Sequence, residues 1–234
     1  MFVRFVGGWL KYHFWAGVDF VYLLDHDSLV PLWPEVRDYA LEGKVQYTRF
    51  SSEKVTNHGF KGGLQGRVFT NCMEQAKGYF TWLMLTDHDE YMYVNDPAYN
   101  HSIPAVLRPL ENRAGAVLTH WRHVGSGGLV ERPEGAGMMN TFHKCRAKLD
   151  EHVKGIIRLD HATLGNTSHC FTYSGGRSGR ISEYTERATR LKAGVSGIAA
   201  KNPNRYKDLD RVATADCMLG KQMYALMQHT QVSR

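Results

Sequence analysis

The fold is decided by Leu83-Met84-Leu85-Thr86-Asp87-His88-Asp89-Glu90-Tyr91, in which an apolar run leads into an Asp-x-Asp pair. The apolar residues predict a buried strand with the acids at its carboxyl end. Because side chains alternate faces along an extended backbone, we expect Asp87 and Asp89 to point one way and His88 the other. Two carboxylates that face one point suit Mg²⁺ or Mn²⁺, which takes one or two carboxylates together with phosphate oxygens of a substrate. The alternative is a strand that ends in a solvated acidic turn.

A second stretch has the same design about sixty positions earlier, where Phe20-Val21-Tyr22-Leu23-Leu24 runs into Asp25-His26-Asp27-Ser28. In an open α/β sheet, ligands bind in a crevice outside the carboxyl ends of the strands. We therefore expect the two acidic strand ends to flank one site.

Helical and extended patterns alternate along most of the chain. Helices are predicted over residues 2–13, 34–41, 64–77, 103–110 and 209–227, and strands over 20–24, 45–47, 83–87, 115–121, 153–159 and 169–173. This order predicts an α/β fold with a mostly parallel sheet flanked by helices. The 234 residues, 43% of them hydrophobic, fit a single domain over residues 1–234, in which the glycine- and arginine-rich segment 174–200 is expected to be flexible.

Composition limits the classes of function. The formal net charge is +6, with Lys and Arg spread along the chain, which allows an anionic ligand such as a nucleotide diphosphate without requiring nucleic acid. The four cysteines show no CxxC spacing, so neither a zinc ribbon nor a thioredoxin-like motif is predicted. No apolar run reaches the roughly twenty residues that span a bilayer. A basic nucleic-acid-binding protein is a remaining, minor alternative.

Several pieces occur in one order that together resemble a known family. They are Trp9-Leu10-Lys11-Tyr12-His13, Gly17-Val18-Asp19-Phe20, Asp25-His26-Asp27-Ser28, Gln65, Cys72, the segment 82–91, Trp121-Arg122-His123-Val124-Gly125-Ser126-Gly127-Gly128, Glu131-Arg132, Val153-Lys154-Gly155-Ile156-Ile157-Arg158 and His169. The chain thereby resembles the GT-A (Rossmann-like) glycosyltransferases, in particular the family 92 and family 2-like group formerly called domain of unknown function 23.

The resemblance implies a metal-dependent enzyme that moves a sugar from a nucleotide diphosphate sugar, UDP-linked, to a hydroxyl of a glycan or other acceptor. Asp87 and Asp89 would be the metal-binding DxD, completed by His169, with Mn²⁺ or Mg²⁺ as the cofactor. Asp25 or Asp27 would bind the base or ribose of the donor.

The resemblance also implies inversion at the anomeric carbon, which needs a general base for the acceptor proton. A carboxylate near the glycine-rich loop after Gly125 is expected to serve, with Glu131 as the first candidate and Glu134 as the second. The alternative is that both are ordinary loop acids.

The chain departs from the family pattern at its amino-terminal end. Met1 falls where the family has an Asn-Glu loop after its first strand, and Gly8 stands where the family has Glu. We therefore expect a domain truncated at its amino terminus that lacks the first strand. The main alternative to an enzyme is a catalytically inactive GT-A domain that acts as a binding or scaffold module. The resemblance implies a location in the Golgi lumen if a longer parent protein carries a membrane anchor. The alternative is a soluble protein of the cytoplasm, and the sequence does not decide between the two.

Overall fold

The computed structural model describes residues 6–51, 63–94, 96–126, 128–129, 133, 137–142, 144–147, 149–150, 153–167, 170–173, 188–193, 215–216 and 227. The helices are Val6–Trp15 (α1), Trp33–Leu41 (α2), Gly63–Ala76 (α3), Ile103–Leu107 (α4) and Met138–Thr141 (α5). The strands are Val21–His26 (β1), Val45–Phe50 (β2), Trp82–Met84 (β3), Glu90–Val94 (β4), Ala116–Gly125 (β5), Lys144–Cys145 (β6), Val153–Arg158 (β7), Ala162–Thr167 (β8), Cys170–Tyr173 (β9), Ala188–Ala193 (β10) and Ala215–Asp216 (β11). The fold is mixed α/β, as the alternation of patterns predicts.

The sheets differ from the expected arrangement. β1 pairs with β2 in parallel, and α2 forms the crossover between them. β5 is the centre of a larger sheet: its first half pairs with β7, which also pairs with β3, and its second half pairs with β6 and β10. β4 pairs with β10, β11 with β6, and β8 with β9. Of these eight pairings two are parallel, so the mostly parallel sheet is not found among the described strands.

The physical reason is that most of the paired strands are far apart in the chain, such as β3 with β7 and β4 with β10, so no local pattern specifies the direction in which they pair. After α3 the described helices are short, since α4 has five residues and α5 has four. The predicted helix over 209–227 is also wrong at Ala215–Asp216, because these residues pair with the backbone of β6 as β11. Within the segment 174–200 the structure describes only β10.

Helix α1 packs on β4 and binds its backbone. Its buried face includes Trp9, Leu10 and Tyr12, as the three and four residue spacing predicts. The Trp9 indole Nε1 donates to the carbonyl of Glu90 over 2.8 Å, and the Tyr12 hydroxyl donates to the carbonyl of Met92 over 2.7 Å. α1 therefore satisfies backbone acceptors of β4 that β10 does not use. None of the helices in the part of the chain that the structure describes is long and apolar enough to cross a membrane.

Candidate active site

The Asp-x-Asp pair lies in a tight turn between β3 and β4. β3 ends at Met84, and the backbone N–H of Glu90 donates to the carbonyl of Asp87 over 3.0 Å, which closes a four-residue turn. The alternation of faces expected for an extended strand therefore does not apply at residues 87–90. The two acids differ in accessibility: the Asp87 side chain is 48% exposed, whereas Asp89 is 6% exposed.

Lys154 of β7 binds both ends of this turn. Its ammonium Nζ lies 2.9 Å from Oδ2 of Asp87 and 3.0 Å from Oε2 of Glu90. The side chains of Lys154 and Glu90 are 2% and 0% exposed, and lysine is almost never buried unless it is paired. Oε2 of Glu90 also accepts the backbone N–H of Asp87 over 2.9 Å. The turn is thus closed by backbone and side-chain bonds together.

Asp89 lies on the side of Tyr91, toward the core. Burial raises the pKa of the Tyr91 hydroxyl, and the nearby negative charge of Asp89 raises it further. Tyr91 is itself buried in the main hydrophobic core. The Asp89 carboxylate is therefore less accessible to a ligand than that of Asp87.

A cavity of about 920 Å³ lies between β1, β3 and the helices α1, α3 and α4. Its walls are mostly apolar, with Val21, Leu23, Phe69, Leu83, Leu107 and Ile156 among the residues that line it. The end of β1 adds Asp25 and His26, and the turn after β3 adds Asp87 and His88. Ligand pockets of drug-sized molecules are roughly 300–1,000 Å³ and combine apolar walls with a few polar groups, so this cavity has the size and lining of a ligand site.

Asp25 and Asp87 both line this cavity, as the two acidic strand ends predict. Oδ2 of Asp25 accepts the Tyr47 hydroxyl over 2.6 Å and the backbone N–H of Leu32 over 3.2 Å, and the Arg49 guanidinium lies 3.8 Å away. Burial favours the neutral form of this carboxyl, but the hydrogen bonds from Ser28, Tyr47 and Leu32 outweigh that effect and lower its pKa. Asp25 is therefore a rigidly held, ionised carboxylate.

Asp27 and Asp89 are not among the residues that line the cavity. Asp27 adopts a left-handed backbone conformation with φ of 52°, and its carboxylate lies 3.3 Å from Nε2 of His26. The remaining candidates, Glu131, Glu134 and His169, lie outside the described residues.

The described side chains at the cavity can bind a divalent cation only if a substrate supplies further oxygen ligands. No group of three His, Cys, Asp or Glu side chains that could hold a metal occurs within the residues that the structure describes. Asp87 suits a single ligand position because its side chain is half-exposed at the cavity. Mg²⁺ is usually bound by one or two carboxylates plus substrate phosphates, so Asp87 with a diphosphate fits this chemistry.

Lys154, Glu90 and Tyr47 were missed by the sequence reasoning. One signal was available for Lys154, since a lysine stands next to the apolar residues of the strand Val153–Arg158, where a buried charge requires a partner. The partner itself could not be predicted, because Lys154 and Asp87 are 67 positions apart. The Tyr47 contact depends on the parallel register of β1 and β2.

The sequence profile of glycosyltransferase family 92 matches residues 3–215. The chain belongs to this family. A glycosyltransferase family 92 protein of Ricinus communis is 24% identical over 182 residues, which are 74% of this chain and 30% of that protein. A glycosyltransferase family 92 protein of Arabidopsis thaliana is also 24% identical, over 184 residues, with the same two shares. The chain thus spans about a third of the length of the curated relatives it matches.

Proposed function

We propose that the protein is a metal-dependent GT-A glycosyltransferase that moves a sugar from a UDP-linked donor to a hydroxyl of a glycan or other acceptor. One observation carries the proposal: Asp25 at the end of β1 and Asp87 in the turn after β3 line one cavity of about 920 Å³. Membership of glycosyltransferase family 92 supports the reaction class.

The proposed roles follow from the positions of the acids. Asp25, held by Tyr47 and Leu32, accepts hydrogen bonds from the base or ribose of the donor, with Asp27 as the alternative. Asp87 binds Mn²⁺ or Mg²⁺, with Asp89 and His169 as further proposed ligands. When bound, the cation supplies positive charge that neutralises the diphosphate leaving group. The apolar walls of the cavity exclude water from the donor.

The proposed transfer inverts the anomeric carbon in one displacement. The acceptor oxygen forms a bond to the anomeric carbon while the bond from that carbon to the diphosphate oxygen breaks. The acceptor proton passes to a carboxylate base, for which Glu131 is the first candidate and Glu134 the second. Both residues are proposed from the resemblance alone.

A second candidate function is a catalytically inactive domain of the same fold that binds a partner or serves as a scaffold. The contacts of the acids favour it: Asp87 is already paired with Lys154, and Asp89 is nearly buried. This candidate predicts no metal-dependent nucleotide binding.

Calorimetric titration of UDP distinguishes the two. We expect wild-type protein to bind UDP in Mn²⁺ and to lose binding in EDTA, and Asp87→Ala to lose the metal-dependent part. Asp38→Ala is the matched control, because Asp38 is an exposed acid on α2 that does not line the cavity. Equal UDP binding with Mn²⁺ and with EDTA, or none in either, would count against the enzyme and leave the second candidate.

A further inference from the structure

Lys154 has two carboxylate partners that place different demands on it. Glu90 is 0% exposed, so its charge requires a cation within the protein. Asp87 is 48% exposed, so water can stabilise its charge without Lys154. The contact with Glu90 therefore compensates a buried charge, whereas the contact with Asp87 mainly sets the direction of a side chain.

Asp87 is held at three points by this arrangement. Its N–H donates to Oε2 of Glu90, its carbonyl accepts the N–H of Glu90, and its Oδ2 accepts from Nζ of Lys154. The first two bonds fix the backbone of the turn, and the third holds the carboxylate. A half-exposed aspartate without such a bond samples several rotamers.

The ammonium of Lys154 is itself held in place. The Thr119 hydroxyl of β5 donates to the carbonyl of Lys154 over 3.2 Å, and the two residues are paired in the sheet. The ring centroid of Trp121, two residues further along β5, lies 6.0 Å from Nζ, a distance at which a cation is attracted to an aromatic face. The central strand of the larger sheet therefore fixes the backbone of Lys154 and places an aromatic ring near Nζ.

We infer that Lys154 is a positioning residue that holds the Asp87 carboxylate in the orientation in which it faces the cavity and takes a divalent cation. The inference rests on the proposed function. One cation with two carboxylates leaves one net negative charge on the Lys154, Asp87 and Glu90 group, so the group attracts a metal ion while Asp87 stays oriented. Groups that orient metal ligands typically change metal affinity by about 10–100-fold when they are removed.

The test separates orientation from charge by means of a paired substitution. Lys154→Met alone would leave the Glu90 carboxylate buried without its cation, so Lys154→Met is combined with Glu90→Gln. The double variant keeps the net charge of the wild-type group, because it removes one positive and one negative charge and leaves the charge of Asp87. The amide oxygen introduced by Glu90→Gln can still accept the Asp87 N–H. Replacing a buried ion pair by uncharged groups of similar volume is often tolerated.

The readout is Mn²⁺ affinity, measured by electron paramagnetic resonance of the free ion in the presence of UDP, with circular dichroism to verify the fold. We expect the double variant to bind Mn²⁺ about 10–100-fold more weakly than wild type. If Lys154 acted only through its charge, the double variant would equal wild type and bind more tightly than Glu90→Gln, whose group is neutral. Affinity equal to wild type in a folded double variant would overturn the inference.

Two further variants keep the outcome decisive. If the methionine of the double variant packs poorly, Lys154→Leu with Glu90→Gln offers the same charge balance, and the same loss of affinity is expected. Asp87→Ala tests the proposed function itself and is expected to remove the Mn²⁺ site. Absence of Mn²⁺ binding by wild type would overturn the proposed function and this inference together. Wild-type binding that is lost in Asp87→Ala but kept in the double variant would overturn the inference alone.

Discussion

Tyr47→Phe is expected to destabilise the fold through the loss of the hydrogen bond from the hydroxyl to Asp25. The Tyr47 hydroxyl lies 2.6 Å from Oδ2 of Asp25, whose side chain is buried. Hydrogen bonds to charged groups contribute about 1.5–3 kcal/mol, and the substitution keeps the ring and its packing. For a chain of 150–250 residues, each kcal/mol corresponds to about 2–4 °C in Tm, so the expected drop is about 3–12 °C.

Differential scanning calorimetry and urea unfolding at pH 7 measure this effect. Tyr39→Phe is the matched control and should change Tm little, because no side-chain hydrogen bond of Tyr39 occurs within the described residues. In an Asp25→Asn background the effect of Tyr47→Phe should shrink, since the acceptor is then neutral. A drop of less than about 0.5 kcal/mol in the wild-type background, or an undiminished drop in the Asp25→Asn background, would refute the assignment of this stability to the charged bond.

Three other features of the molecule can be tested in the same way. Hydrogen bonds lower the folded-state pKa of Asp25 below its ordinary value of 3.8. The ionised carboxylate therefore stabilises the folded protein above that pH, and this stabilisation is lost as the pH falls through the lowered pKa. The difference in Tm between wild type and Asp25→Asn should accordingly narrow below about pH 4. Trp9→Phe removes the 2.8 Å bond to the buried Glu90 carbonyl and should cost about 1–3 kcal/mol in urea unfolding, whereas Trp33→Phe at an exposed position should cost less than about 0.5 kcal/mol. Glu131→Ala should spare UDP binding and lower turnover, because a general base acts in the chemical step; loss of UDP binding would assign it to the donor site instead.

The first half of the fold was predictable from local patterns. The helical spacing of Trp9, Leu10 and His13 predicts α1, and the apolar run that ends at Leu24 predicts β1. Both depend on residues close in sequence, which is why periodicity reports them. The sheet order after β4 depends on pairings between distant strands, such as β5 with β10, and no local pattern specifies these.

Part of the placement of the candidate residues was predictable in the same way. Asp25 and Asp87 were expected near one site because each follows an apolar strand, and both line the cavity. The direction of Asp89 could not be predicted, because the turn at residues 87–90 is stabilised by Lys154, a residue of another strand. The roles of all the candidate residues, Asp25, Asp27, Asp87, Asp89, Glu131, Glu134 and His169, stay predictions.

The bonds from α1 to β4 have a consequence for solubility. A strand edge with unpaired carbonyls is a template on which another chain can add by backbone pairing. Trp9 and Tyr12 occupy the carbonyls of Glu90 and Met92, so helix α1 blocks that template. Mutations that unfold α1 would therefore expose the carbonyls of Glu90 and Met92 next to the acidic turn, and aggregation would be their first visible effect.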